Sequence, residues 1–284
     1  MYQCKVSNPQ IIICTKISFV NKFFIRYLVS LHPLREDAER RHFKISCGMG
    51  GPKTENIKSL FDSISSDYDK LNHVLSLNVD KTWRKRALKH ITDIEGDGAV
   101  LDVACGTGDF SIEIALHSSD SVAITALDLS EGMLEVMRRK VAKASLQGRI
   151  SISQGNCEKM DFLDNSFDRV TIAFGIRNFE HREDALREIL RVLKPGGRLV
   201  ILELSVPSNR FLRWCYCLYF TKLLPWIGGL VSGDKAAYSY LPASVLKFPG
   251  KEEWMKTMSD CGYGNVSHKA FTFGICRMYI GEKI

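Results

Sequence analysis

Residues 100–110 read Val-Leu-Asp-Val-Ala-Cys-Gly-Thr-Gly-Asp-Phe, with an acid at Asp102 and glycines at Gly106 and Gly108. A second acid, Asp128, follows about twenty residues beyond the glycines, the interval at which a ribose-binding carboxylate is expected. Glycines at such a turn let a ligand lie against bare backbone, and the amides that open the next helix offer a positive end to a carboxylate or phosphate. A dinucleotide turn wants a third glycine at position 111, where this chain carries Ser111, so a pyrophosphate is disfavoured. S-adenosylmethionine has no phosphate. It needs a close backbone approach, an acid ahead of the glycines near its amino group, and a second acid for its ribose hydroxyls. Asp102 and Asp128 stand where those acids belong, and Gly106 and Gly108 supply the approach. The plain alternative is a structural turn flanked by two solvated carboxylates.

The elements needed to hold these residues are legible in the hydrophobic pattern. Residues 100–104 are apolar except for Asp102, which is how a strand buried on both faces reads, and residues 110–116 resume at helical spacing. Residues 123–127 predict the next strand, ending at Asp128, and residues 131–144 the next helix. A third strand is expected over 150–153. Asn156 and Cys157 then fall just past its C-terminal end, where open α/β sheets bind ligands, and could hold an adenine edge. Further strands are expected over 167–174 and 198–203, joined by a helix over 185–192 and the turn Lys194-Pro-Gly-Gly197. This alternation predicts a doubly wound, mostly parallel sheet. A last helix over 252–261 and a hairpin over 264–280 would add an antiparallel edge.

Outside this unit the composition changes. Residues 1–46 carry eight Lys/Arg against three acids and so hold +5 of the formal net charge of +7. The remainder is nearly balanced, which is no footprint for a nucleic-acid backbone. Lys16, Lys22 and Arg26 interrupt the apolar run in this segment and argue against a spanning helix. It reads as a poorly folded extension preceding a translation start near Met49. A basic interfacial helix and a mitochondrial presequence are the alternatives. Residues 56–67 predict an amphipathic helix, and the mixed stretch 68–83 suits a lid or substrate wall, so that 56–90 form a helical lid on a domain spanning 50–284. The insertion 207–250 includes an aromatic, apolar run over 211–231 that Arg213, Lys222 and Pro225 bar from crossing a bilayer. It is either a capping helix pair or a greasy lid that receives an apolar substrate or touches a membrane. Nine scattered cysteines, without a Cys-x-x-Cys pair, argue for a reducing cytoplasm and no metal.

The chain resembles the ubiquinone/menaquinone biosynthesis C-methyltransferases from about Gly50 to its C-terminus. One signature of that family, Tyr-Asp-x-Met-Asn-x-x-apolar-Ser-x-x-x-His-x-x-Trp, is matched by Tyr68, Asp69, Asn72, Leu75, Ser76 and Trp83, with departures at Leu71 and at Asp80, where the family has histidine. The other, Arg-Val-apolar-Lys-Pro-Gly-Gly through Glu-x-Ser, is met from Arg191 to Ser205. Phe174-Gly-Ile-Arg-Asn178 is similar to the motif that follows the fourth strand. The resemblance implies S-adenosylmethionine as cofactor, with contacts at Thr107, Asp128, Asn156 and Cys157. Ala173 replaces a serine contact. It implies a polyprenylated quinol as substrate, with demethylmenaquinol favoured over 2-methoxy-6-polyprenyl-1,4-benzoquinol, and a cytoplasmic enzyme that could sit peripherally on the membrane.

Methyl transfer to carbon needs an electron-rich ring carbon aligned behind the sulfonium methyl, and a basic or positive group at the ring oxygen. Arg177, following the fourth strand, is the candidate for stabilising a phenolate, with loop bracing as its alternative role. His73 and His181 are weaker candidates. A nucleic-acid amino-methyltransferase would carry Asn/Asp-Pro-Pro-aromatic where this chain has Phe174-Gly-Ile-Arg-Asn178. A non-catalytic S-adenosylmethionine-binding partner protein would keep the cofactor residues and transfer nothing.

Overall fold

Seven strands form one sheet in the order β3-β2-β1-β4-β5-β7-β6 in a computed structural model that describes residues 53–65, 68, 69, 76, 78–94, 96–219 and 235–284. The strands are β1 (Ala99–Val103), β2 (Ala123–Asp128), β3 (Ile150–Gln154), β4 (Phe167–Ala173), β5 (Leu193–Leu204), β6 (Tyr263–Phe271) and β7 (Cys276–Lys283). The first five pair in parallel, and β7 runs antiparallel to both β5 and β6. The sheet is thus the doubly wound, mostly parallel one expected, with its antiparallel edge hairpin.

Alternation along the strands explains the two cores. Leu101, Val103, Leu127, Ile172 and Ile201 face one side, where α5 (Arg182–Val192) and α8 (Lys251–Asp260) supply Leu186, Ile189 and Trp254. Val100, Ile124, Ala126, Val200 and Leu202 face the other, against α2 (Val79–Leu88), α3 (Asp109–His117) and α4 (Glu131–Lys143). A sheet covered on both faces needs apolar residues at odd and even positions alike, which is why these strands read as nearly continuous apolar runs.

Three boundaries differ from the expected ones for local reasons. Strand β5 begins at Leu193, because the Lys-Pro-Gly-Gly turn stays paired to β4 through a register shift between Phe167 and Arg169. Helix α5 starts at Arg182, with two acids, Glu183 and Asp184, in its first turn, where they favour the positive helix end. The first helix, α1 (Thr54–Ile64), begins and ends slightly earlier than the periodicity suggested. The apolar insertion contributes α6 (Arg210–Leu218), started by the Asn209 side chain, which accepts from Phe211 N and Leu212 N, and α7 (Lys235–Lys247). The extension 1–46, Asn72 and His73, and positions 220–234 of the insertion lie outside the described residues. Among the described residues no helix is long and apolar enough to cross a membrane.

Candidate active site

The strand order reverses between β1 and β4, the place at which open α/β sheets form a crevice beyond the carboxyl ends of their strands. A cleft opens there, with about 730 Å³ of space including its mouth. Its wall is built from the segments that follow β1, β2, β3 and β4, and α1 closes its top with Thr54, Ile57 and Phe61.

The turn after β1 adopts left-handed backbone at Ala104 (φ 53°), Gly106 (φ 55°) and Gly108 (φ 81°). The two glycines serve different purposes. A Cβ on Gly106 would meet nothing nearer than the Tyr68 ring, 3.9 Å away, so the missing side chain leaves open a cradle in the cleft. A Cβ on Gly108 would lie 2.4 Å from Met137 Cγ on α4. Gly108 therefore serves close packing against α4 and is not among the residues lining the cleft.

Asp128 stands at the end of β2 on the cleft wall. Its Oδ2 accepts from Gly106 N at 2.8 Å and its Oδ1 from Ser130 N at 2.9 Å. Burial raises its pKa above the ordinary carboxylate value, and the backbone amides pull in the opposite direction. Its remaining lone pairs are the acceptors available to a pair of hydroxyls. Asn156 and Cys157 also line the cleft. Asn156 folds its Oδ1 back onto Glu158 N at 2.9 Å, an Asx turn that fixes the loop, and burial pushes the Cys157 thiol well up.

Asp102 is placed differently from its expected role. Its carboxyl is 1% exposed, lies beneath the glycine turn rather than on the cleft wall, and accepts from Ser111 Oγ at 2.5 Å. Burial raises its pKa to about 7. Its Oδ1 has no partner among the described residues. From there the carboxyl supports the turn from below. The Thr107 hydroxyl donates to Asp69 Oδ1 at 2.5 Å and lies 3.4 Å from Lys140 Nζ, and Thr107 is not among the residues lining the cleft.

Arg177 sits in a 3₁₀ turn, Ile176–Asn178, behind the cleft wall and is buried. Its guanidinium donates to Glu203 Oε1 at 2.8 Å, to the Phe174 carbonyl and to Ser244 Oγ, while its backbone N–H donates to Glu203 Oε2 at 3.1 Å. The Glu203 charge raises its pKa against the opposing effect of burial. The cation is therefore already neutralised, and of the two roles open to Arg177 the geometry matches loop bracing. Its neighbour Asn178 does line the cleft and accepts from Tyr240 Oη at 2.7 Å. Burial raises the Tyr240 hydroxyl to about 12. His181, exposed at the start of α5, does not line the cleft.

Three further residues shape the site and its surroundings, of which sequence reasoning missed Glu180. Asp80, at the family's histidine position, is buried against Arg84 at 2.9 Å. Phe174 holds a left-handed backbone (φ 62°) at the cleft edge, its ring 6.1 Å from Trp83. Glu180 reaches across to α1, where its Oε2 accepts from Thr54 N at 2.8 Å and Thr54 Oγ1 at 2.9 Å. A polar residue opening an amphipathic helix was the available signal for the last of these. Among the described residues, no group of three or more His, Cys, Asp or Glu side chains is arranged to hold a metal.

Sheet order and crevice are those of the S-adenosylmethionine-dependent methyltransferase fold. An S-adenosylmethionine-dependent methyltransferase from Aquifex aeolicus superposes with a TM-score of 0.53 at 18% identity, over 71% of this chain and 89% of the other. The [4+2]-cyclase SpnF does so with a TM-score of 0.55 at 16% identity, over 82% and 98%. A cyclase on the same scaffold shows that likeness of this degree defines the fold alone. Residues 49–283 match the ubiE/COQ5 methyltransferase family, and the chain belongs to that family. It is 50% identical over 231 residues to the ubiquinone/menaquinone biosynthesis C-methyltransferase UbiE of Geobacter sulfurreducens, covering 81% of this chain and 90% of the relative. It is 42% identical over 233 residues to the demethylmenaquinone methyltransferase of Bacteroides fragilis, covering 82% and 94%. The chain is thus an S-adenosylmethionine-dependent methyltransferase.

Proposed function

We propose that this protein methylates a ring carbon of a reduced quinone in quinone biosynthesis, with demethylmenaquinol as its substrate. The observation that carries the site assignment is Asp128, an acid at the end of β2 held on the Gly106 and Ser130 amides beside an open glycine cradle. S-adenosylmethionine supplies an electrophilic methyl group on sulfur. Asp128 would hold its ribose hydroxyls, and Gly106 would let it lie on backbone. Asn156 and Cys157 would flank the adenine, and Asp102 would keep the turn in shape from beneath. The residues fit that group because the cradle is empty of side chain and the acid beside it keeps unused acceptors.

For the quinol, the protein's task is alignment and exclusion of water, with α1 across the mouth of the cleft and Asn178, held by Tyr240, on its wall. Arg177 enters as a positioning residue that braces the loop carrying Asn178. Preference for the naphthoquinol ring rests on the names of relatives such as the Bacteroides fragilis protein. Peripheral membrane contact, which would bring a polyprenyl tail to a cytoplasmic enzyme, is supported by α6 and its neighbour. Phe211, 49% exposed beside Arg210 and Arg213, and Phe273, 79% exposed, offer apolar and basic groups together. The match beginning at residue 49 supports confining the catalytic unit to residues from about Gly50, so that a chain starting at Met49 keeps its thermal midpoint.

The test is incubation with labelled S-adenosylmethionine and demethylmenaquinol under reducing conditions, in competition with 2-methoxy-6-polyprenyl-1,4-benzoquinol of equal tail length. The expected product is the naphthoquinol carrying one more methyl group. Preference for the benzoquinol would move the enzyme to ubiquinone synthesis. Methylation of neither, with the cofactor bound, would leave a non-catalytic binding protein.

A further inference from the structure

Helix α1 has no fully buried residue, yet it spans the cleft. A helix that buries so little is not held by the hydrophobic effect alone. Polar contacts fix it at two points and the segment just beyond it at a third, each on a different loop of the sheet. At its start, the Glu180 carboxylate, after β4, accepts from Thr54 N and Thr54 Oγ1 and so satisfies an orphan amide of the first turn. At its end, Asp62 Oδ1 accepts from Ser130 Oγ at 2.5 Å and Gly132 N at 3.0 Å, after β2. Asp62 thereby places a negative charge at the start of α4. Just beyond α1, Asp69 pairs with Lys140 Nζ at 2.9 Å and accepts from Thr107, after β1. Lys140 also pairs with Asp109, the first residue of α3, so one cation ties the covering segment to the helix behind the glycine turn. Gly132 permits the second contact: a Cβ there would lie 3.1 Å from Ser65 Oγ and 3.2 Å from Asp62 Oδ1.

We propose that Glu180, Asp62 and Lys140 are positioning residues that clamp α1 over the cleft, so that S-adenosylmethionine enters and S-adenosylhomocysteine leaves only when these contacts break. The proposal rests on the cleft being the cofactor site. The Phe61 and Tyr68 rings, edge to face at 5.9 Å, form the underside of the clamped segment, with Tyr68 directly above the Gly106 cradle. Opening the clamp removes that roof, and closing it excludes water. All three contacts join residues of opposite charge or a charge and a helix end, so opening is eased by salt.

The experiment compares the full chain with Lys140→Met, Glu180→Gln, their double variant and Gly132→Ala. Amide hydrogen exchange over Thr54–Ile64 is measured without ligand. The dissociation rate of S-adenosylhomocysteine is measured by stopped flow. The double variant is expected to speed exchange in that helix, and release of S-adenosylhomocysteine, by about tenfold or more, with exchange in β1 and β4 unchanged. Gly132→Ala is the control for folding: it favours α4 as a helix but crowds Asp62, so release should speed without loss of the thermal midpoint. Lys140→Arg should restore slow release. Release within twofold of the parent in a chain whose α1 exchanges faster would overturn the proposal, as would unchanged exchange in α1. Faster exchange throughout the sheet would also overturn it, by assigning these residues to general stability. Failure of the parent chain to bind S-adenosylhomocysteine, with α1 still protected through Glu180 and Lys140, would instead refute the cofactor reading and leave a clamp without its gating role.

Discussion

Ser111 donates its hydroxyl hydrogen to Asp102 across 2.5 Å beneath the glycine turn, with both side chains shut off from solvent. This contact explains why position 111 is not the glycine of a dinucleotide turn: the serine supplies a hydroxyl donor to the buried carboxyl. Burial nevertheless raises the Asp102 pKa from 3.8 to about 7. Between those values the folded state holds a proton that the unfolded chain has released, so the contribution of Asp102 to stability falls as pH rises from about 4 to about 7. Asp102→Asn removes that dependence. In denaturant titrations the variant should gain on the parent chain between pH 5 and pH 8, by on the order of a few kcal/mol. A parent chain that gains on the variant would mean that Asp102 is held ionised.

Gly106 and Gly108 separate by experiment. Both have left-handed backbone, so alanine at either incurs about 1–2 kcal/mol of strain. Alanine at 108 also drives its methyl into Met137, whereas alanine at 106 points into the cleft. Gly108→Ala should therefore lower the thermal midpoint more. Gly106→Ala should lose more affinity for S-adenosylhomocysteine, by calorimetry on folded protein.

Arg177 and Glu203 form a buried pair at 2.8 Å, and removing one partner strands the other charge. Arg177→Met should cost about 3–5 kcal/mol in urea unfolding. Arg177→Met with Glu203→Gln should recover part of that loss, because no uncompensated charge remains. If Arg177 instead acted on a ring oxygen, the single variant would lose turnover while keeping its stability, and the double variant would recover nothing.

The sheet was legible because strands buried on both faces, such as 100–104 and 199–202, have few ways to be written. Asp128, Gly106, Asn156 and Cys157 were legible because position after a parallel strand fixes them at the cleft. Asp102, Thr107 and Gly108 fall within the same motif but are not among the residues that line the cleft. Asp102 is taken up by Ser111 on the next helix, while Thr107 and Gly108 meet partners remote in sequence, Asp69 and Met137. Arg177 was recognised as notable, but Glu203, which neutralises it, lies 26 residues away in a different motif. No local spacing records such a pairing.

Asp128 carries the last test. Its two carboxylate oxygens already accept from Gly106 N and Ser130 N, so the acid both shapes the glycine turn and faces the cleft. Asp128→Ala removes acceptors from two backbone amides and from the ribose hydroxyls together. The loss in cofactor affinity should be about 1.5–3 kcal/mol, as for hydrogen bonds to a charged group. Asp128→Asn can still accept from one amide but turns a donor toward the other, and it should lose a comparable amount if charge is what the hydroxyls need. Calorimetry with S-adenosylhomocysteine measures both, and the same titration with homocysteine-free adenosine isolates the ribose contribution. An unchanged dissociation constant in a folded Asp128→Ala protein would remove this residue from the site and leave the glycine cradle without its acid.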